Sequence, residues 1–144
     1  MQNPQFLSDL INQAIKVHED EIVKLNTQDQ IYDKSVKADG SVITPHDKPY
    51  TIYSFPYEKK KKKAGLYRGK VDLNYTGQYL DSFDLTYLFQ AFKIEPNSQN
   101  ADLGGYLKNL YGDNIEGFTA ENLSKIGNII RPTLLKLFRN ALQL

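Results

Sequence analysis

Two runs of alternating apolar residues meet at Thr76-Gly77, near the middle of this 144-residue chain. On the N-terminal side, Val71, Leu73 and Tyr75 alternate with Lys70, Asp72 and Asn74. On the C-terminal side, Phe83, Leu85, Tyr87 and Phe89 alternate with Asp84, Thr86, Leu88 and Gln90. After a slip at Ala91 the alternation resumes with Phe92 and Ile94. A period of two sends successive side chains to opposite faces, so each run reads as a strand with one apolar face. Glycine accepts backbone conformations that a Cβ opposes, so Thr76 and Gly77 are expected as a structural turn. The two strands are expected to pair antiparallel across that turn, with one helical turn at residues 78–82 between them. The slip at Ala91 reads as a β-bulge.

The flanks of this segment are helical. Asn3-Pro4 places a good N-cap before a proline suited to the first turn. Phe6, Leu7, Leu10, Ile11, Ala14, Ile15, His18, Ile22 and Leu25 then recur at spacings of three and four. That is an amphipathic helix ending near Leu25-Asn26. His18 falls beside its apolar stripe and reads as a packed structural histidine, because no second ligand stands at metal spacing. Residues 101–111 predict a short helix weakened by Gly104-Gly105. Thr119 caps a last helix whose apolar stripe runs through Leu123, Ile126, Ile130, Leu134, Leu137 and Ala141. Arg131-Pro132 is expected to kink or divide it.

Residues 26–70 are irregular. Asp39-Gly40 marks a tight turn, and Pro45 and Pro49 exclude a continuous helix. Residues 50–55 are aromatic and β-branched and predict a strand, with Tyr53, Phe55 and Tyr57 alternating on one face. Five consecutive lysines follow: Lys59, Lys60, Lys61, Lys62 and Lys63. Two readings stay open. Like charges repel and keep the run solvated as an exposed loop. Alternatively the run is a basic finger that meets phosphates without reading sequence, beside aromatics able to stack on a single strand.

Charge and composition narrow the function classes. The net charge is +1, so any electrostatic partner must be met by a local patch. The absence of cysteine excludes disulfides, thiolate zinc sites and cysteine nucleophiles. No run reaches the length of a membrane span, and Met1-Gln2-Asn3-Pro4 lacks the basic and apolar regions of a signal peptide. A soluble chain made in a cytoplasm is therefore expected. Ten tyrosines exceed seven phenylalanines, which suits both wet interfaces and β-strands. No nucleophile elbow, P-loop, dinucleotide fingerprint or zinc-protease motif is present. Asp113 and Glu116 flank Asn114, but the trio falls short of a calcium loop. No catalytic residue, cofactor or metal is expected.

The order of these features resembles the neck and tail-completion proteins of tailed bacteriophages, among them virion morphogenesis and minor capsid-like proteins. The resemblance is carried by Thr76-Gly77, Leu80 and Ser82-Phe83. It continues through Tyr111-Gly112-Asp113, Ile115, Gly117-Phe118-Thr119 and Arg131-Pro132-Thr133-Leu134-Leu135. The tail string is most similar to versions from phages of Bacteroidetes hosts. The resemblance implies a non-enzymatic virion protein, assembled in the host bacterial cytoplasm as a homo-oligomeric ring beside portal, connector or tail proteins. The lysine run supplies the alternative, a small nucleic-acid-binding accessory protein making non-specific DNA contact. The expected fold is α+β in a single domain over residues 1–144. A small antiparallel sheet packs against an N-terminal helix and a kinked C-terminal helix, with an extended loop at about 26–65.

Overall fold

The computed structural model describes residues 3–45, 55–74, 76–97 and 101–143. The fold is α+β, with a two-stranded antiparallel sheet set among helices. Helix α1 spans Pro4–Val17; the Asn3 side chain accepts a hydrogen bond from the Phe6 amide at 2.8 Å and caps it. His18 interrupts the helix, and α2 resumes at Glu19–Lys24.

The chain does not leave the helix at Leu25-Asn26, as its polar run suggests. It continues as a π-helical segment, Leu25–Asp33. Asn26, Thr27, Gln30 and Ile31 are buried there. The polar residues that signal a loop are instead used inward, as buried hydrogen-bonding groups. A turn follows, with Gly40 at φ +85° and both the amide and hydroxyl of Ser41 donating to Asp39. A single bridge joins Val36 to Val42 across it.

The lysine run is not a loop. Helix α3 spans Phe55–Lys63. Of the expected strand at residues 50–55, residues 50–54, Tyr53 among them, lie outside the described residues. Phe55 is the first residue of α3 and is described only in its backbone.

The strand expected at residues 70–75 is absent over 70–74, and Tyr75 lies outside the described residues. Leu73 sits at φ +53°, a left-handed conformation that breaks a pleated strand. Among the described residues, no strand pairs across Thr76-Gly77. Gly77, at φ +83°, turns the chain into the short helix α4, Gln78–Asp81. The sheet lies wholly beyond that turn. The expected long run with a bulge is a hairpin, β1 (Phe83–Leu88) and β2 (Ala91–Pro96). Leu88 pairs with Ala91, so Phe89-Gln90 is a two-residue turn, with Gln90 at φ +58°. The slip at Ala91 is the place where the chain reverses.

Helix α5, Ala101–Tyr111, leads through a 3-10 turn, Asp113–Ile115, to α6, Ala120–Leu142. Thr119 caps α6 by accepting from the Asn122 amide at 3.2 Å. Pro132 bends α6 without dividing it. Ile15, Ile22, Ile31, Ile43, Val71, Phe83, Ile94, Ile115 and Ile126 form the core. Burial of each such side chain stabilises by roughly 1.5–3 kcal/mol.

Candidate assembly cleft

Helix α1 and strand β2 face each other across an open cleft of about 920 Å³. The helical wall carries Pro4, Leu7, Ser8, Ile11 and Asn12, the i, i+3, i+4, i+7, i+8 set of one helix face. Phe92, Phe118 and Leu123 add apolar surface. Leu7 is 42%, Ile11 40% and Leu123 49% exposed. These are large apolar side chains left against water, on elements otherwise committed to the core. The hairpin tip beside them adds Phe89 at 57%. Clustered exposure of this kind marks an interaction surface more often than scattered single residues do.

The cleft is built by two separate anchors. Ser8, buried on α1, accepts the Gln90 amide at 3.0 Å and pins the hairpin turn to the helix. Phe92 and Phe118 meet with ring centroids 6.0 Å apart, tying β2 to the segment before α6. That segment is held from below by a buried polar cluster. Asn26 and Gln30 donate to the Gly117 carbonyl at 2.7 and 2.9 Å, and Gln30 accepts the Thr119 amide at 2.9 Å. Asn122 donates to the Leu25 carbonyl at 2.9 Å. The π-helical segment thus positions the floor of the cleft and the start of α6 together.

Charge is uneven along the cleft. Glu95, Asp113 and Glu116 line it against a single lysine, Lys93. Lys93 pairs with Glu95 at 3.2 Å, and Lys108 reaches Glu116 at 3.5 Å from α5. Burial pushes the Glu116 carboxyl up from its ordinary value, with Lys108 opposing the shift. Among the described residues, no group of three or more His, Asp or Glu is placed to hold a metal ion. No described helix is long and apolar enough to cross a membrane.

No known family model, curated protein or solved structure matches the chain.

Of the interaction residues expected from the sequence, those described lie together on α3, outside the lining of the cleft. Lys59, Lys60, Lys62 and Lys63 are exposed on α3, and Lys62 pairs with Glu58 at 2.9 Å one turn earlier. Lys61 is not solvated. It is 1% exposed and donates to Asp72 at 2.6 Å, with Arg68 a further 3.9 Å from the same carboxylate. Tyr57 is half-buried against the core, on a helix and not on a strand face. Thr76 and Gly77 form a bend leading into α4, remote in role from the cleft. His18 shares a 2.7 Å hydrogen bond with Thr133 and joins α1 to α6 as a structural residue. The cleft residues went unrecognised as a site because each belongs to an ordinary amphipathic pattern. The available signal was the width of the α1 stripe, which includes Leu7 and Ile11 beyond what one core contact needs.

Proposed function

We propose that this chain is a non-enzymatic structural protein of a tailed-phage virion, forming a ring at the head–tail neck or the tail end. The observation that carries the assembly role is the cleft between α1 and β2. Leu7, Ile11 and Leu123 stand exposed in it, and a neighbouring subunit would remove that area from water. At roughly 25 cal/mol per Å² of apolar surface, covering a few such side chains contributes several kcal/mol to association. The virion setting rests on the resemblance carried by Thr76-Gly77, Tyr111-Gly112-Asp113 and Gly117-Phe118-Thr119. A head-to-tail contact whose rotation closes gives a ring. The test is the composition of tailed particles purified from cells in which the coding genome replicates. The chain is expected as a stable component present in a fixed multiple of copies. Complete particles that lack it overturn the reading.

A second reading has one observation in its favour: α3 keeps Lys59, Lys60, Lys62 and Lys63 exposed on one short helix. Such a cluster meets DNA phosphates without sequence preference. DNA retention that falls steeply with salt, and is lost when these four become serine, supports it. Unchanged retention in that variant removes it.

A further inference from the structure

The cleft sets two requirements on whatever fills it. Leu7, Ile11 and Leu123 stand exposed in it and need an apolar side chain against them. The rest of it is acidic: Glu95, Asp113 and Glu116 line it against Lys93. Two such clefts placed face to face would set carboxylates against carboxylates, which opposes association. The surface that fits is therefore a different one, both apolar and basic. Among the described residues, the other exposed apolar groups mostly lack the charge. The hairpin tip, Leu88 and Phe89, has no ionisable neighbour from Leu88 to Ala91. The α5 face, Leu103, Tyr106 and Leu110, has Asp102 on the same helix, and its Lys108 is held by Glu116. Val17 is followed by Glu19, Asp20 and Glu21, and Val42 follows Asp39. Helix α6 differs from all of these. From Asn122 to Leu142 it holds Lys125, Arg131, Lys136 and Arg139 and no Asp or Glu. Arg131, Leu135 and Arg139 recur at i, i+4 and i+8, one row on the helix surface, with Pro132 and Lys136 in the row beside it. All five are exposed, Leu135 at 51%, while Thr133 and Leu137 on the opposite side are half-buried. None of the five lines the cleft of its own chain.

We infer that the cleft receives α6 of a second copy of the chain: Leu135 packs against Leu7, Ile11 and Leu123, and the arginines flanking it, Arg131 and Arg139, meet the carboxylates of the cleft. The lengths agree. The row from Arg131 to Arg139 spans about 12 Å at about 1.5 Å per residue. The β2 side of the cleft, Gln90 to Glu95, spans about 17 Å at about 3.4 Å per residue. The side chains agree as well. An arginine stem covers apolar surface while its planar fork takes a carboxylate through two hydrogen bonds. The contact is head to tail, because the surface a copy offers is not the surface it receives on, and a rotation that closes turns such contacts into a ring. This rests on the reading of the cleft as an assembly surface and names what fills it.

Charge reversal on the two sides tests it, read as mass by light scattering. Glu95→Arg with Asp113→Arg gives a chain whose cleft and α6 are both basic. Arg131→Glu with Arg139→Glu gives one whose cleft and α6 are both acidic. Each alone is expected to stay at the monomer mass of 16.5 kDa. Mixed in equal amounts, the two are expected to regain an assembly of at least twice that mass, because every cleft then meets an α6 of opposite sign. The mixture controls for misfolding, since misfolded chains do not recover on mixing. A separate pair of variants needs no charge reversal: Leu135→Glu is expected to disperse the parent assembly, and Val17→Glu, at an equally exposed apolar residue outside the contact, to leave it intact. Three results overturn the inference: an assembly indifferent to the arginine reversal, reversed variants with parental circular dichroism that stay monomeric when mixed, or equal effects of Leu135→Glu and Val17→Glu. If the parent assembles while any of these holds, the assembly role stands and α6 is discarded as the occupant. A parent that is monomeric at every concentration removes both.

Discussion

Five successive lysines are chemically identical, yet the fold treats one of them differently. Lys61 is buried against Asp72, while Lys59 is solvated. Removing one partner of a buried ion pair costs about 3–5 kcal/mol, an upper limit here because Asp72 keeps the Asn74 amide and has Arg68 3.9 Å away. Lys61→Ala is therefore expected to lower unfolding stability by up to that amount in denaturant titration. Lys59→Ala is expected to change it by less than about 0.5 kcal/mol. Replacing both partners, Lys61→Met with Asp72→Leu, is expected to recover most of the loss, short of the bond that Asp72 accepts from the Asn74 amide. Equal effects at Lys59 and Lys61 would contradict this. Tyr79 gives a second residue-scale prediction. It is buried, and burial, with the Glu116 charge adding to it, holds its hydroxyl well above the ordinary value. Tyr87 is pushed up to about 12, by burial and then by Glu19. A raised folded-state value means the native state keeps its proton longer. That stability is full below the ordinary value near 10 and is lost as pH rises through the folded value. Tyr79→Phe is expected to flatten the loss of stability above about pH 10 and to cost little at pH 7, measured by thermal melts across pH.

Elements rather than single residues decide how the cleft is held open. Helix α5 approaches β2 closely enough that a Cβ on Gly104 would stand 2.8 Å from Pro96 Cγ, whereas one on Gly105 would meet nothing within 4 Å. Gly105→Ala is expected to stabilise by about 0.5–1 kcal/mol, the helix-propensity difference. Gly104→Ala is expected to destabilise by about 1–3 kcal/mol, since overpacking outweighs that gain. A melting temperature raised by both would show that α5 and β2 are not in this contact. The pair also shows what the sequence could convey. It revealed the helix and its two weak positions, but not that one glycine is a spacer. Asn3, Thr119 and the Asp39-Gly40 turn were legible because caps and turns are local chemistry. The pairing across Thr76-Gly77 was not, because alternation at residues 70–75 cannot reveal that Asp72 turns inward to a lysine eleven residues earlier. The hairpin turn was hidden for a related reason. Phe89-Gln90 is no glycine-bearing turn signal, and its bend is fixed through tertiary contact with Ser8. Tertiary partners likewise carry the π-helical segment past Leu25-Asn26, where polar composition alone reads as an ending.

For the whole molecule, the core takes one set of apolar residues and the cleft leaves another exposed. The isoleucines at 15, 22, 31, 115 and 126 are enclosed by the chain's own elements, while Leu7, Ile11 and Leu123 remain outside that enclosure. The proposed ring requires that this second set be completed by a neighbouring copy of the chain. Light scattering coupled to size-exclusion chromatography measures it directly. The purified chain is expected to show a mass at least twice 16.5 kDa and a whole multiple of it. The Leu7→Glu, Ile11→Glu double variant is expected to fall to 16.5 kDa with its helical content intact. A parent that stays at 16.5 kDa at every concentration, or an assembly indifferent to the double variant, would contradict the claim.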